Sequence, residues 1–348
     1  MRPIGYYVHH HGIGHWQRAR AIAAKLHHPC TLIGTFDAAQ QAQAGIPLLP
    51  LPDDKLDAPP ERPGAHPATA ALHYAPPGAD VLRQRAALLS GWIRDHRPAL
   101  MVVDVSVEIV LLARLCGTPV VSFRLAGRRD DPPHLAAFEA SEALIAPFPA
   151  ELDEPDLPAW IRERTVHAGL LAPASPTQAP GKPRRIAVVL GRGGSAMDPA
   201  ALLAAAAATP GYHWQVAGLA RPAGPIPANI EMLGWVDDPA PLLRQASLVI
   251  GGCGDGLLAE VAALGRRFIC IPEPRPFAEQ AVKADRLAAL GCAITLPAWP
   301  DAPAWPSLFQ EAEALDPARI AALHDASAIT RTAGFIDGCA EAVTVRYG

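Results

Sequence analysis

One histidine, two glycine-rich turns and a handful of carboxylates are the residues through which this chain could act on a substrate. His15 lies in Gly12-Ile13-Gly14-His15-Trp16-Gln17-Arg18, between an apolar run at 4–10 and a helical pattern at 16–26. At the amino end of a helix the positive dipole disfavours a second proton, which keeps the imidazole neutral and basic. A lone histidine in a glycine turn is more often structural. Asp104 ends the apolar run 100–103, so it emerges at the same strand edge as His15. There it either accepts the second ring N–H of the histidine, fixing its tautomer, or caps the helix that begins right after it.

The second turn is Gly251-Gly252-Cys253-Gly254-Asp255-Gly256. An apolar run at 247–250 opens into it, and Leu257, Val261 and Leu264 then recur at helical spacing, giving strand, tight turn and helix. Free backbone N–H groups at the positive end of that helix make a natural phosphate seat. Glu260 borders the apolar stripe, where a carboxylate needs donors such as sugar hydroxyls or a nearby side chain. After the next apolar run, 267–271, a proline-rich loop containing Arg275 delivers Glu279 and Gln280 to the start of another helix. Gly191-Arg192-Gly193-Gly194-Ser195 follows the run 185–190 and offers another set of amides, without the Lys-Ser/Thr ending of an ATP-binding P-loop. His9, His10 and His11 alternate faces along a strand and cannot all meet one ion, so no metal site is expected.

The elements that must position these residues follow from the alternation of apolar runs and helical patterns. Strands are expected at 4–10, 30–34, 46–51, 99–104, 119–124, 143–148 and 165–168, then again at 185–190, 214–218, 230–233, 247–250 and 267–271. Such alternation indicates parallel sheets. A proline-rich loop at 53–77 reads either as a lid over a site or as a surface excursion. Linker composition at 172–183 divides the chain into two Rossmann-like domains, 1–171 and 184–330, facing across a cleft. Residues 319–346 look helical, and 331–348 are expected to cross back to the first domain.

With 348 residues, 50% of them hydrophobic and 18% charged, the chain suits two globular domains. A net charge of −4 and the lack of a Lys/Arg block argue against nucleic acid as a partner. The six cysteines form no C-x-x-C pair, which argues against a zinc site or a disulfide framework and for a reduced cytoplasmic setting. A signal peptide is not expected, nor is a spanning helix, which needs ~18 apolar residues in a row.

Taken in order, these motifs resemble the GT-B glycosyltransferases, the superfamily of the UDP-dependent natural-product transferases and of the lipid II-forming N-acetylglucosaminyltransferase. The α/β fold with two facing Rossmann-like domains is the GT-B architecture. The resemblance implies a metal-independent enzyme that needs no cofactor and moves a sugar from a nucleotide diphosphate, with UDP expected, to a small-molecule or lipid-linked acceptor. Peripheral membrane contact is compatible with a lipid acceptor. His15 would act as general base, oriented by Asp104. Gly252, Cys253, Gly254 and Asp255 would hold the diphosphate, together with Gly14, Arg18 and the turn Arg192, Gly193, Gly194 and Ser195. Glu260 would meet the ribose, Glu279 and Gln280 the sugar hydroxyls, Trp235 and Val236 the base, and Arg275 an anionic group. Gly252 stands where the family carries a phosphate-binding histidine, and Arg192 would supply the charge it lacks. Restoring that histidine at 252 should strengthen UDP binding if the backbone there accepts a Cβ. The same pattern also resembles nucleotide-sugar hydrolases, and a non-catalytic GT-B partner protein would fit the altered turn.

Overall fold

The computed structural model describes residues 1–10, 13–55, 69–172, 181–191 and 197–347. Two parallel sheets follow one another along the chain. The first contains β1 (Ile4–Val8), β2 (Cys30–Gly34), β3 (Leu48–Pro50), β4 (Leu100–Asp104), β5 (Val120–Phe123), β6 (Ala143–Ala146) and β7 (Thr165–His167), in the order β3-β2-β1-β4-β5-β6-β7. The second contains β8 (Arg185–Val189), β9 (His213–Ala217), β10 (Ile230–Gly234), β11 (Leu248–Gly251), β12 (Arg267–Cys270) and β13 (Ile294–Thr295), in the order β10-β9-β8-β11-β12-β13. Each sheet starts at its middle, builds outward on one side, then crosses to the other. The reversal falls between β1 and β4 in the first sheet and between β8 and β11 in the second. Connections there leave in opposite directions, opening a crevice at the carboxyl ends of the strands.

The central strands can be apolar throughout because helices cover both faces of each sheet. Every residue of β1, β4 and β11 is buried. The last helix, Ala328–Tyr347, returns to the first sheet and packs Ala333, Ile336 and Ala340 into the core that holds Ile4, Ile22 and Val102. It is distinct from the short helix Pro317–Ala321, so the single helical stretch expected at 319–346 is two helices. Helices Pro132–Ala140 and Trp305–Ala314 have no counterpart in the sequence reading. Both carry proline in the first turn, where the missing N–H costs nothing and the ring starts a helix rather than breaking one.

The two halves meet closely. Arg128 N–H donates to the carbonyl of Phe277 at 2.7 Å, and Arg286 Nε donates to the carbonyl of Glu151 at 3.1 Å. Gly127, at φ 100°, has the Phe277 carbonyl where a Cβ would stand, so only glycine allows this approach. Phe277 and Ala278 are themselves left-handed, at φ 61° and 54°, as is Val105 at φ 67° just after β4. For a β-branched or bulky residue this conformation stores strain, of order 1–3 kcal/mol at each position, and persists only where surrounding contacts impose it.

Candidate functional site

His15, on the helix that follows β1, and Asp104, at the end of β4, come from the two sides of the switch point of the first sheet. The helix expected from residue 16 begins earlier, Ile13–Ala23, so Gly14 and His15 lie in its first turn. Asp104 closes β4 and is fully buried. It does not cap the following helix; that role belongs to Ser106, whose side chain accepts from Ile109 N–H. The side chains of His15 and Asp104 therefore meet, with Nδ1 3.1 Å from Oδ1.

Arg18, one turn further along the same helix, joins them. Its Nη2 donates to Asp104 Oδ1 at 2.7 Å and its Nε lies 3.3 Å from Oδ2, while the guanidinium stacks 5.1 Å from the centre of the Phe123 ring. Burial opposes ionising Asp104, but the guanidinium and then His15 outweigh it and hold the carboxyl well below the usual range. From the other branch, Arg18 Nη1 reaches Asp255 Oδ2 at 3.2 Å, across to the turn after β11. Arg18 is thus a brace between the halves as well as a neighbour of His15.

Asp255 is the first residue of helix Asp255–Leu264, whose N-cap is Gly254. Its other oxygen meets Lys283, which is fully buried on helix Glu279–Ala289 and also lies 3.9 Å from Glu279. Burial favours a protonated Asp255 and a neutral Lys283. Their mutual attraction reverses both tendencies, with Arg18 adding to the first and Glu279 to the second, so both stay charged. Glu279 in turn faces Arg129 of the first half at 3.4 Å. A chain of alternating charge therefore runs from Asp104, beside His15, through Arg18, Asp255, Lys283 and Glu279 to Arg129. Lys283 and Arg129 drew no attention in the sequence, because a lysine on an amphipathic helix and an arginine in a loop ordinarily face water.

The turn 251–254 is held from behind. Gln280 is buried, and its Oε1 accepts from Cys253 N–H at 2.8 Å and from Glu273 N–H at 2.9 Å. One of the amides expected to cradle phosphate is thus already engaged, and Gln280 serves the loops rather than facing outward with Glu279. Arg275 pairs with Glu273 at 2.7 Å. Gly252 has no free space beside it: a Cβ would sit 2.8 Å from Gln280 Oε1 and 3.3 Å from Glu273 Cγ. Arg192, Gly193, Gly194 and Ser195 lie outside the described residues.

Glu260 stands one turn into the same helix, and its Oε2 is buried without a hydrogen-bond partner among the described residues. Burial first, and then the charge of Asp238, push its carboxyl up to about 7. A buried carboxylate oxygen left unpaired costs free energy that a donor could recover. Val236 packs against the neighbouring core, whereas Trp235 is 46% exposed with its Nε1 donating to Asp237 at 2.9 Å.

Two groups of histidine and carboxylate lie close enough together to invite a cation, His73 with Asp131 and His134, and His10 with Asp53 and Asp54. In the first, Arg129 Nη1 is 3.0 Å from His134 Nε2 and donates to it, so the ring proton sits on Nδ1 and is shared with Asp131 at 2.6 Å. In the second, Asp54 is paired with Arg85 at 3.2 Å. A guanidinium at either place works against a second cation. No helix among the described residues is long and apolar enough to cross a membrane.

Residues 215–299 match the glycosyltransferase family 28 C-terminal domain. No curated protein matches the chain. Among solved structures, the chain is similar to the glycotransferase of kitacinnamycin, at 18% identity and a TM-score of 0.68, over 97% of this chain and 99% of that one. It is similar to MurG of Acinetobacter baumannii at 16% identity and a TM-score of 0.68, over 97% and 100% of the two chains. Phytolacca americana UGT2, solved with UDP-2-fluoroglucose and pterostilbene, shows 14% identity and a TM-score of 0.70, over 98% and 100%. The chain has the GT-B fold.

Proposed function

We propose that this GT-B protein is a glycosyltransferase that moves a sugar from a nucleotide diphosphate, UDP being the expected carrier, to an acceptor hydroxyl or amine. The observation that supports this best is Arg18, which touches Asp104 on one side and Asp255 on the other. It sets a histidine–carboxylate pair beside the glycine turn and helix start where a diphosphate would bind. In the reaction, an acceptor oxygen or nitrogen attacks the anomeric carbon and gives its proton to His15. The bond from that carbon to the diphosphate breaks, and its electron pair leaves on the phosphate oxygen. The departing charge would be met by protein cations and helix amides fixed in advance. Glu260, with its unpaired buried oxygen, would accept from the ribose hydroxyls.

A second reading, a GT-B partner protein without transfer activity, draws on Asp255. Its carboxylate holds Arg18 and Lys283 at the very helix start where a phosphate would otherwise sit. Incubating purified protein with a panel of nucleotide sugars, with and without acceptors, separates the possibilities. Acceptor-dependent nucleotide release supports transfer, acceptor-independent release means a hydrolase, and no release or binding of any donor means the partner reading.

A further inference from the structure

Arg18 meets both His15 and Asp104 at the point where they touch. Its Nη2 is 2.9 Å from His15 Nδ1 and 2.7 Å from Asp104 Oδ1, while Nδ1 and Oδ1 are themselves 3.1 Å apart. A guanidinium only donates and a carboxylate only accepts, so Nδ1 offers either a lone pair to Arg18 or a proton to Asp104. The shorter contact is the one to Arg18, and it places the single proton of a neutral imidazole on the other nitrogen. Here that other nitrogen is Nε2. A neutral histidine protonated at Nε2 has no lone pair there with which to take a proton from an acceptor.

We infer that Arg18 is a positioning residue that sets the tautomer of His15: with Nη2 on Nδ1 the ring rests as the Nε2–H form. When Nη2 leaves, Nδ1 takes a proton and donates it to Asp104, and Nε2 loses its own to water, so the ring's charge is unchanged and Nε2 becomes the accepting atom. The groups that face His15 are His9 from the end of β1, with ring centres 5.5 Å apart, Arg18 from its own helix, Asp104 from β4, and Asp255 from the opposite half through Arg18. Asp255 matters because it holds the second branch of the guanidinium. The seat of Arg18, and through it the state of His15, is therefore tied to the contact between the two halves of the fold and to any anion that competes for the guanidinium. The use of this device as a control on catalysis rests on the reading of His15 as proton acceptor, but the tautomer does not.

The test is nitrogen NMR of protein labelled in its histidine rings, recorded without nucleotide at about pH 8, above the ordinary histidine range of ~6.5. The His15 signals are assigned by their loss in His15→Gln. The parent should show a bare Nδ1 and a protonated Nε2, and Arg18→Ala should show Nδ1 moved into the protonated region. Arg18→Lys, which keeps a charge opposite Asp104 but has no second branch, should show the same shift and serves if Arg18→Ala does not fold. A protonated Nδ1 in the parent, or a bare Nδ1 in the folded variant, overturns the inference. Because no substrate is present, either result stands apart from whether the chain transfers sugar.

Discussion

Arg18 Nη1 stands 3.2 Å from Asp255 Oδ2, and this ion pair joins the helix that follows β1 to the helix that follows β11. The two residues are separated by 237 positions in the chain. Beyond Asp255 the pairing continues to Lys283, whose side chain has no exposure to water. Each buried charge is tolerable only because the next one is present.

Lys283→Ala should accordingly destabilise the protein by about 3–5 kcal/mol, since it strands the Asp255 carboxylate with Arg18 alone. The double change Lys283→Met with Asp255→Leu removes both charges of the buried pair and should recover part of that loss. Urea unfolding of the parent and both variants provides the comparison. A loss within about 1 kcal/mol in the single variant would mean that the lysine reaches water.

His15 and Asp104 should separate when activity and stability are measured side by side. His15→Ala should lower transfer by roughly 10²–10⁴ and leave the melting temperature near that of the parent. Asp104→Asn should lower transfer as well, and should also melt earlier, because it takes a charged partner from buried Arg18. Initial rates and thermal unfolding on the same preparations decide it, and equal melting temperatures for the two variants would count against the buried pair.

Glu260 gives the protein a pH dependence of definite sign. Its carboxyl is raised from the ordinary 4.5 to about 7, so the folded state binds this proton more tightly than the unfolded one. That contribution is complete below the unfolded value and is lost as pH rises through about 7. Glu260→Gln, which cannot ionise, should therefore gain on the parent over this range, by about 2–4 °C in melting temperature at its upper end. Nucleotide affinity of the parent should rise over the same interval, since ribose hydroxyls donate to the carboxylate form, and the rise should be absent in the variant. Scanning calorimetry and titration calorimetry across pH measure the two effects.

Gly252 should resist the change that its family resemblance invites. A Cβ there presses on Gln280 Oε1, which is occupied with two backbone amides, and on Glu273. Gly252→Ala should cost about 1–3 kcal/mol as overpacking, and Gly252→His should weaken rather than strengthen UDP binding. Tighter UDP binding by a folded Gly252→His, measured by calorimetry, would show that Gln280 yields.

What was legible in the sequence was local. Apolar runs of strand length alternating with helical patterns determine two parallel sheets, because periodicity and the covering of both strand faces are properties of short stretches. Glycine turns after β8 and β11 and a histidine after β1 mark the carboxyl edges for the same reason, and Asp104 is legible as the residue that ends an apolar run. The partners were decided elsewhere. Whether Asp104 caps its helix or meets His15 depends on Val105 turning left-handed and on Ser106 taking the cap, which the residue types alone leave open. Gln280 turns inward because the turn after β11 and the loop just before its own helix both bring an N–H group to its Oε1. Lys283 and Arg18 have the composition of solvated residues; Asp255 reaches Lys283 from a neighbouring helix of its own half and Arg18 from the opposite half, and only this packing replaces their water. Desolvation is a property of what lies on every side of a group, and for these residues the sides are supplied by separate elements, in the case of Arg18 by residues 237 positions apart.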